Sequence, residues 1–388
     1  MRQAEKHFFN YHRNCCTVLF FIFGIVRKKS AIILAWFLPF QVLVIQLLSQ
    51  YPQFIEDWYS KGLYPFFSSA LRLTLGILPF SLGDLLYALL IILVLRWLTK
   101  VLPRQFRRPR IWIPECLAVL SLIYLLFNLF WGLNYYRLPL HHTLNIEAEY
   151  STEDLAGLTA HLVEESNRLQ LDLTGDDSTM VEIPYSKTRI LQMAMDGYRN
   201  IDDRIPELHY RQRSLKKSLY SLPLTYMGFN GYLNPLTNEG QVNIEILRYR
   251  LPTTASHEIG HQLGFAKENE SNFLACLTTM NHPDPYFRYS GYTFALSYCL
   301  SELFRRDPDG AQKAMEGINY GIQLNYLKIQ EFWEAHHNPM EPVFMSIYNS
   351  FLIANNQPEG MRSYSYVVAL LVNYHKAFGG ITLKRAKL

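Results

Sequence analysis

His257-Glu258-Ile259-Gly260-His261 places two imidazoles and a carboxylate in the spacing HExxH. Residues i and i+4 share one face of a helix, so His257 and His261 reach toward a common point. Zinc accepts two histidine nitrogens and a carboxylate and keeps a position for water. Glu258, next to His257, is placed to face that water as general base, and metal binding lowers the water's pKa toward neutrality. The chemistry is metal-assisted hydrolysis. A third ligand is sought among the acids that follow, Glu268 and Glu270. Residues two apart on a helix point in directions differing by about 200°, so only one of the two completes the set.

These residues need two helices and a turn. Pro252, Thr253, Thr254 and Ser256 suit a helix start, and Gly264 suits its end. The run ENESNFLACLTTM predicts a second helix, opened by Glu268 and Glu270 and turned back across the face of His257 and His261. Just before, Thr225 to Ile246 reads as a short hairpin around the turn 234–240. Its strand Glu239 to Ile246 is either an edge for an extended peptide or an ordinary hairpin strand. Tyr289 and Tyr292 offer a phenol to a developing oxyanion, or else are plain core or surface aromatics. His141-His142 and His336-His337 read as surface pairs, because adjacent side chains point apart.

The domain carrying this chemistry spans 137–388 and is long enough for its own core. Ser151-Thr152-Glu153-Asp154 resembles a capping box opening a helix through about Leu169. Lys187 to Asn200 and Ser214 to Ser221 also predict helices, as does nearly everything after Thr253. The five cysteines (Cys15, Cys16, Cys116, Cys276, Cys299) form no CxxC pair. Cys276 and Cys299 read as buried thiols, with pairing left open.

Mean hydropathy is −0.02, yet the chain is 49% hydrophobic and only 18% charged. That average hides a greasy front. Residues 31–50 and 116–136 are charge-free, and 82–98 carries only Asp84 and Arg96. Each approaches the roughly 20 residues of a bilayer span. The membrane domain is therefore expected over 31–136. Cys15 to Val26, bracketed by Arg13 and Arg27, is too short to span, and residues 1–30 read as an interfacial or cytoplasmic extension. Lys28, Lys29 and the basic loop Arg104 to Arg110 place the N-terminus in the cytoplasm by the positive-inside rule, and the domain after the third span outside it. Arg104 to Arg110 would also suit anionic lipid heads. Phe66 to Phe80 reads as an interfacial or re-entrant helix. A net charge of +4 is too mild to suggest nucleic acid.

The segments FWGLNYYR (130–137), YLNPLTNEGQVN (232–243), HEIGHQLGFAKENESNF (257–273), RYSGY (288–292) and GMRSYSYVVALL (360–371) resemble a family of uncharacterised bacterial membrane proteins. That family is catalogued as a domain of unknown function (DUF3810), with the look of membrane-anchored zincins. The resemblance runs from about residue 31 and implies a mostly α, gluzincin-type domain with a small β-hairpin or sheet behind three transmembrane helices. It also implies a zinc metallopeptidase of the bacterial inner membrane whose partners are the bilayer and a peptide or protein. The ENESN stretch is similar to the E-x-x-x-D element of membrane gluzincins such as the prenyl-protein endopeptidases. That comparison selects Glu268 as ligand and places Asn272, where those proteins have Asp, one turn on as its outer partner. Two other functions stay open: a non-catalytic sensor or assembly protein on the same fold, and a zinc hydrolase of a non-peptide envelope amide.

Overall fold

A computed structural model describes residues 28–201, 204–358, 360 and 366–381. The expected extension and its apolar stretch Cys15 to Val26 lie almost wholly outside the described residues. The chain runs through α1 (Lys28–Leu48), α2 (Tyr64–Leu75), α3 (Leu82–Arg96) and α4 (Pro109–Phe130). It divides into two compact units. One comprises the chain up to Tyr51 together with Asp84–Trp131, and the other comprises Pro52–Gly83 together with everything from Gly132. The membrane domain expected over 31–136 therefore gives up residues 52–83, and Gly132 to Tyr136, to the second unit.

Three helices among the described residues are long and apolar enough to cross a membrane: Ser30–Leu48, Leu82–Thr99 and Trp112–Phe130. In the first unit α1 packs along α4, and Gln41 donates to Ser121 Oγ at 2.6 Å between them. Most other side chains of these helices face outward and are apolar, as lipid contact requires. The third helix begins earlier than expected because Pro109 starts it. It stops at Phe130, and residues 132–136 form a 3₁₀ turn whose Asn134 and Tyr135 are buried.

The second unit is mainly helical. It contains α5 (Thr152–Thr174), α6 (Lys187–Arg199), β1 (Leu215–Lys217), α7 (Ser221–Tyr226), β2 (Gly231–Asn234) and β3 (Glu239–Val242). After these come α8 (Leu251–Gln262), α9 (Glu268–Met280), α10 (Pro285–Arg306), α11 (Pro308–Glu316), α12 (Tyr320–His336), α13 (Glu341–Ala354) and α14 (Tyr366–Phe378). The capping box forms as read: Ser151 Oγ accepts from Asp154 N, and the Asp154 carboxylate accepts from Ser151 N. The core gathers Leu155, Leu158 and Leu162 of α5, Ile190 and Tyr198 of α6, and Phe273, Leu274 and Leu277 of α9.

The helix expected over 214–221 is instead a strand and the start of a short helix. β1 pairs parallel with β3, Leu215 opposite Gly240, and Ser214 O accepts from Gly240 N. A sheet partner far along the chain overrides the local helical pattern. The hairpin occupies 231–242, and the strand order β1-β3-β2 puts β3 in the middle. β3 is therefore no edge for a peptide, because both its sides are already paired; β1 and β2 are the outer strands.

Residues 52–83 serve the second unit as an underlay. Tyr64, Ser68 and Arg72, one turn apart on α2, are buried. Glu56 and Arg137 form a buried two-pronged ion pair at 2.7 and 2.9 Å. The motif YLNPLTNEGQVN clasps the same segment. The Glu239 carboxylate accepts from the N–H groups of Leu82 and Gly83, and Gln241 donates to Ser81 Oγ.

Candidate metal and hydrolytic site

The HExxH sequence lies on α8, which packs against β3 and β2 on one side and α9 on another. Pro252 sits in the first turn, where its missing N–H costs nothing. The helix ends at Gly264, with φ of 88°. A Cβ there would stand 2.9 Å from the ring of Tyr64, so glycine meets both a left-handed backbone and a close approach. The turn brings α9 back across α8.

His257, His261 and Glu268 meet there, with one donor atom from each within 4.8 Å of the others. His257 Nε2 is 3.3 Å from Glu268 Oε2, and His261 Nε2 is 3.5 Å from Glu268 Oε1. Two donors about 2.0–2.1 Å from a tetrahedral zinc stand about 3.3 Å apart, so the residues present fit such an ion. The far side of each imidazole is fixed as well. His257 Nδ1 lies 2.9 Å from Asn272 Oδ1, and His261 Nδ1 lies 2.8 Å from Phe265 O, with Ser271 Oγ at 3.1 Å. A carbonyl only accepts, so Nδ1 of His261 carries the hydrogen and its Nε2 is turned inward toward Glu268.

The electrostatics favour positive charge at this point. Burial opposes an imidazolium at His261, but Glu268 more than offsets it and pushes the pKa up to about 9. Burial alone would raise Glu268, yet His261 and His257 hold it well below the usual carboxylate range. Glu258 behaves differently. Burial lifts its pKa to about 7 against the pull of both histidines. Its Oε2 has no hydrogen-bond partner, and a Cβ at Gly231 of β2 would come within 2.5 Å of its Oε1. A buried carboxyl near neutrality beside a His-His-Glu cluster is suited to taking and returning a proton.

Glu270 does not join the cluster. Its Oε1 accepts from Leu140 N at 2.9 Å, because two residues along α9 turn it to the other side. Tyr289 is also elsewhere: it is fully buried in the core, with its hydroxyl on Asn325 Oδ1 at 2.7 Å and its ring against Tyr249. Tyr292 is buried on the same helix. The pairs His141-His142 and His336-His337 lie outside the cluster, and Cys276 and Cys299 are free buried thiols.

One neighbour had no signal in the sequence. Tyr348 of α13 donates to Glu268 Oε1 at 2.7 Å, with its ring against Phe229. It stands 80 positions from Glu268 in a helix with no motif of its own. The floor of α8 was equally silent. Tyr64 donates to Gln262 O at 3.0 Å, and Arg72 Nη1 donates to Gln262 O and Asn238 Oδ1, both at 2.8 Å. Tyr210 donates to Gln262 Oε1 at 2.7 Å.

Against known proteins, the model of the family described as Protein of unknown function (DUF3810) matches residues 59–372. That is most of the chain, and the chain belongs to this family. No curated protein and no solved structure matches it.

Proposed function

We propose that this member of the DUF3810 family is a membrane-anchored, zinc-dependent hydrolase of peptide bonds on a zincin-like fold. The observation that carries the reading is the meeting of His257, His261 and Glu268 at the donor spacing of a tetrahedral ion, with the unpartnered carboxyl of Glu258 beside them. In this reading His257, His261 and Glu268 hold the metal, Asn272 and Phe265 O orient the imidazoles, and Glu270 supports the chain at Leu140. When bound, the metal would acidify a water toward neutrality and polarise the scissile carbonyl. Glu258 is placed to accept a proton from the attacking water and to return it to the leaving amine. β2 is an outer strand of the sheet, and an extended peptide would add along it as a further strand, beside Glu258. Tyr348, which donates to Glu268, is a phenol in contact with the cluster, as Tyr289 is not.

Three membrane-length helices and the basic residues before the first and after the second support a domain from Gly132 onward outside the cytoplasm. Protease protection in intact cells tests the topology: cleavage from outside within 137–388 agrees with it, and cleavage only from within contradicts it. The activity is tested with a peptide library, purified full-length protein and Glu258→Gln. Hydrolysis by the wild type that Glu258→Gln loses while keeping its zinc supports the reading. Equal hydrolysis by the variant overturns the role of Glu258.

A further inference from the structure

Thirty-one consecutive residues, 208–238, contain no Asp or Glu, and the first part of this run carries Arg211, Arg213, Lys216 and Lys217. Arg211, Arg213 and Lys217 are exposed. After them come Leu219, Leu222 and Tyr226, all among the exposed large apolar side chains. The stretch 73–80 lies alongside. Lys216 turns its ammonium onto the carbonyls of Leu75, Gly76 and Leu78, and a Cβ at Gly76 would meet Arg213 O at 2.3 Å. That neighbour presents Leu73 and Ile77 outward, the latter 81% exposed.

We propose that residues 211–226 and 73–80 together form a surface that seats on an anionic phospholipid headgroup layer. Exposed cations followed by exposed leucines, with exposed Leu73 and Ile77 on the neighbouring stretch, match a layer whose heads are negative and whose next few ångströms are apolar. Long basic side chains lay their stems on the apolar part and hold their charge at the phosphates. On α5, Arg168 is already matched by Glu165 and Asp172, which leaves little charge for a lipid. The segment 52–83 is also continuous in sequence with two membrane-length helices, Ser30–Leu48 before it and Leu82–Thr99 after it. The same run leads into β2, whose Gly231 abuts Glu258, so the seating surface and the candidate site share one stretch of chain.

The test does not need turnover, so it stands or fails apart from the hydrolytic reading. Full-length protein, with Cys15, Cys16 and Cys116 replaced by Ser, carries an environment-sensitive fluorophore at Ile77→Cys, Leu222→Cys or, as a control on α5, Leu171→Cys. It is placed in nanodiscs of phosphatidylcholine with or without phosphatidylglycerol, each with a nitroxide-bearing lipid as quencher. Labels at positions 77 and 222 are expected to be quenched several-fold more than at 171 when phosphatidylglycerol is present. Quenching at 222 is expected to fall several-fold with Arg211→Glu/Arg213→Glu/Lys217→Glu or high salt. Quenching at 77 and 222 no stronger than at 171 overturns the proposal. So does quenching at 222 that ignores both charge reversal and lipid charge, and so does self-quenching between labels without lipid quenching, which marks a second copy as the occupant.

Discussion

The HExxH helix is held on two sides by different means. Toward α9 its partners are near in sequence: His257 meets Asn272 15 positions away, and His261 meets Phe265 O after four. Toward the underlay they are remote: Gln262 is held by Tyr64 across 198 positions and by Arg72 across 190. The first side sets the donor geometry of the cluster, and the second fixes the end of the helix that bears it. A short motif records only the first kind of support. The second depends on a segment that composition assigns to the membrane domain and that the fold assigns to the same unit as the cluster.

Four substitutions separate these supports, in order of expected effect. Glu258→Gln keeps the cluster and its metal but removes the proton carrier, so peptide hydrolysis is expected to fall about 10²–10⁴-fold; a smaller loss, at unchanged zinc content, removes Glu258 from the mechanism. Arg72→Ala strips two charge-assisted hydrogen bonds, leaves the buried Gln262 carbonyl to Tyr64 alone and strands the buried Asn238 amide oxygen. Folding stability is expected to drop by about 3 kcal/mol in denaturant unfolding. A midpoint indistinguishable from wild type reduces the underlay to a bystander. Asn272→Ala leaves the fold intact but frees the His257 ring, and zinc affinity read by competition with a chelator is expected to weaken about 10–100-fold. If Arg72→Ala weakens zinc more than Asn272→Ala does, the division between the two sides is wrong. Tyr348→Phe removes one hydrogen bond to Glu268, worth about 1 kcal/mol of metal affinity, and its effect is expected to be the smallest of the four.

Much of the near side was legible beforehand. HExxH, the stop at Gly264 and the paired acids of ENESN lie within 16 residues, and helix periodicity brings His257 and His261 to one face. The same periodicity left Glu268 and Glu270 as alternatives, because it fixes their relative direction and not which of them faces α8. The hairpin was visible in its turn residues, but its place in the sheet was not. β1 is three residues long, and only its parallel pairing with β3, some 25 residues on, makes it a strand and makes β3 central. Tyr289 failed as a candidate because the chain offers 26 tyrosines, and burial, which spacing does not record, decides which of them reaches the chemistry. Tyr348 and Arg72 are found only when distant segments meet.

The central claim is that Glu268, and not Glu270, completes a metal site with His257 and His261. Zinc content per chain, measured on purified full-length Glu268→Ala and Glu270→Ala beside the wild type, tests it most directly. The account predicts a single zinc in the wild type, its loss from Glu268→Ala and its retention in Glu270→Ala. Zinc retained by Glu268→Ala, or absent from a wild type supplied with the metal, would contradict it.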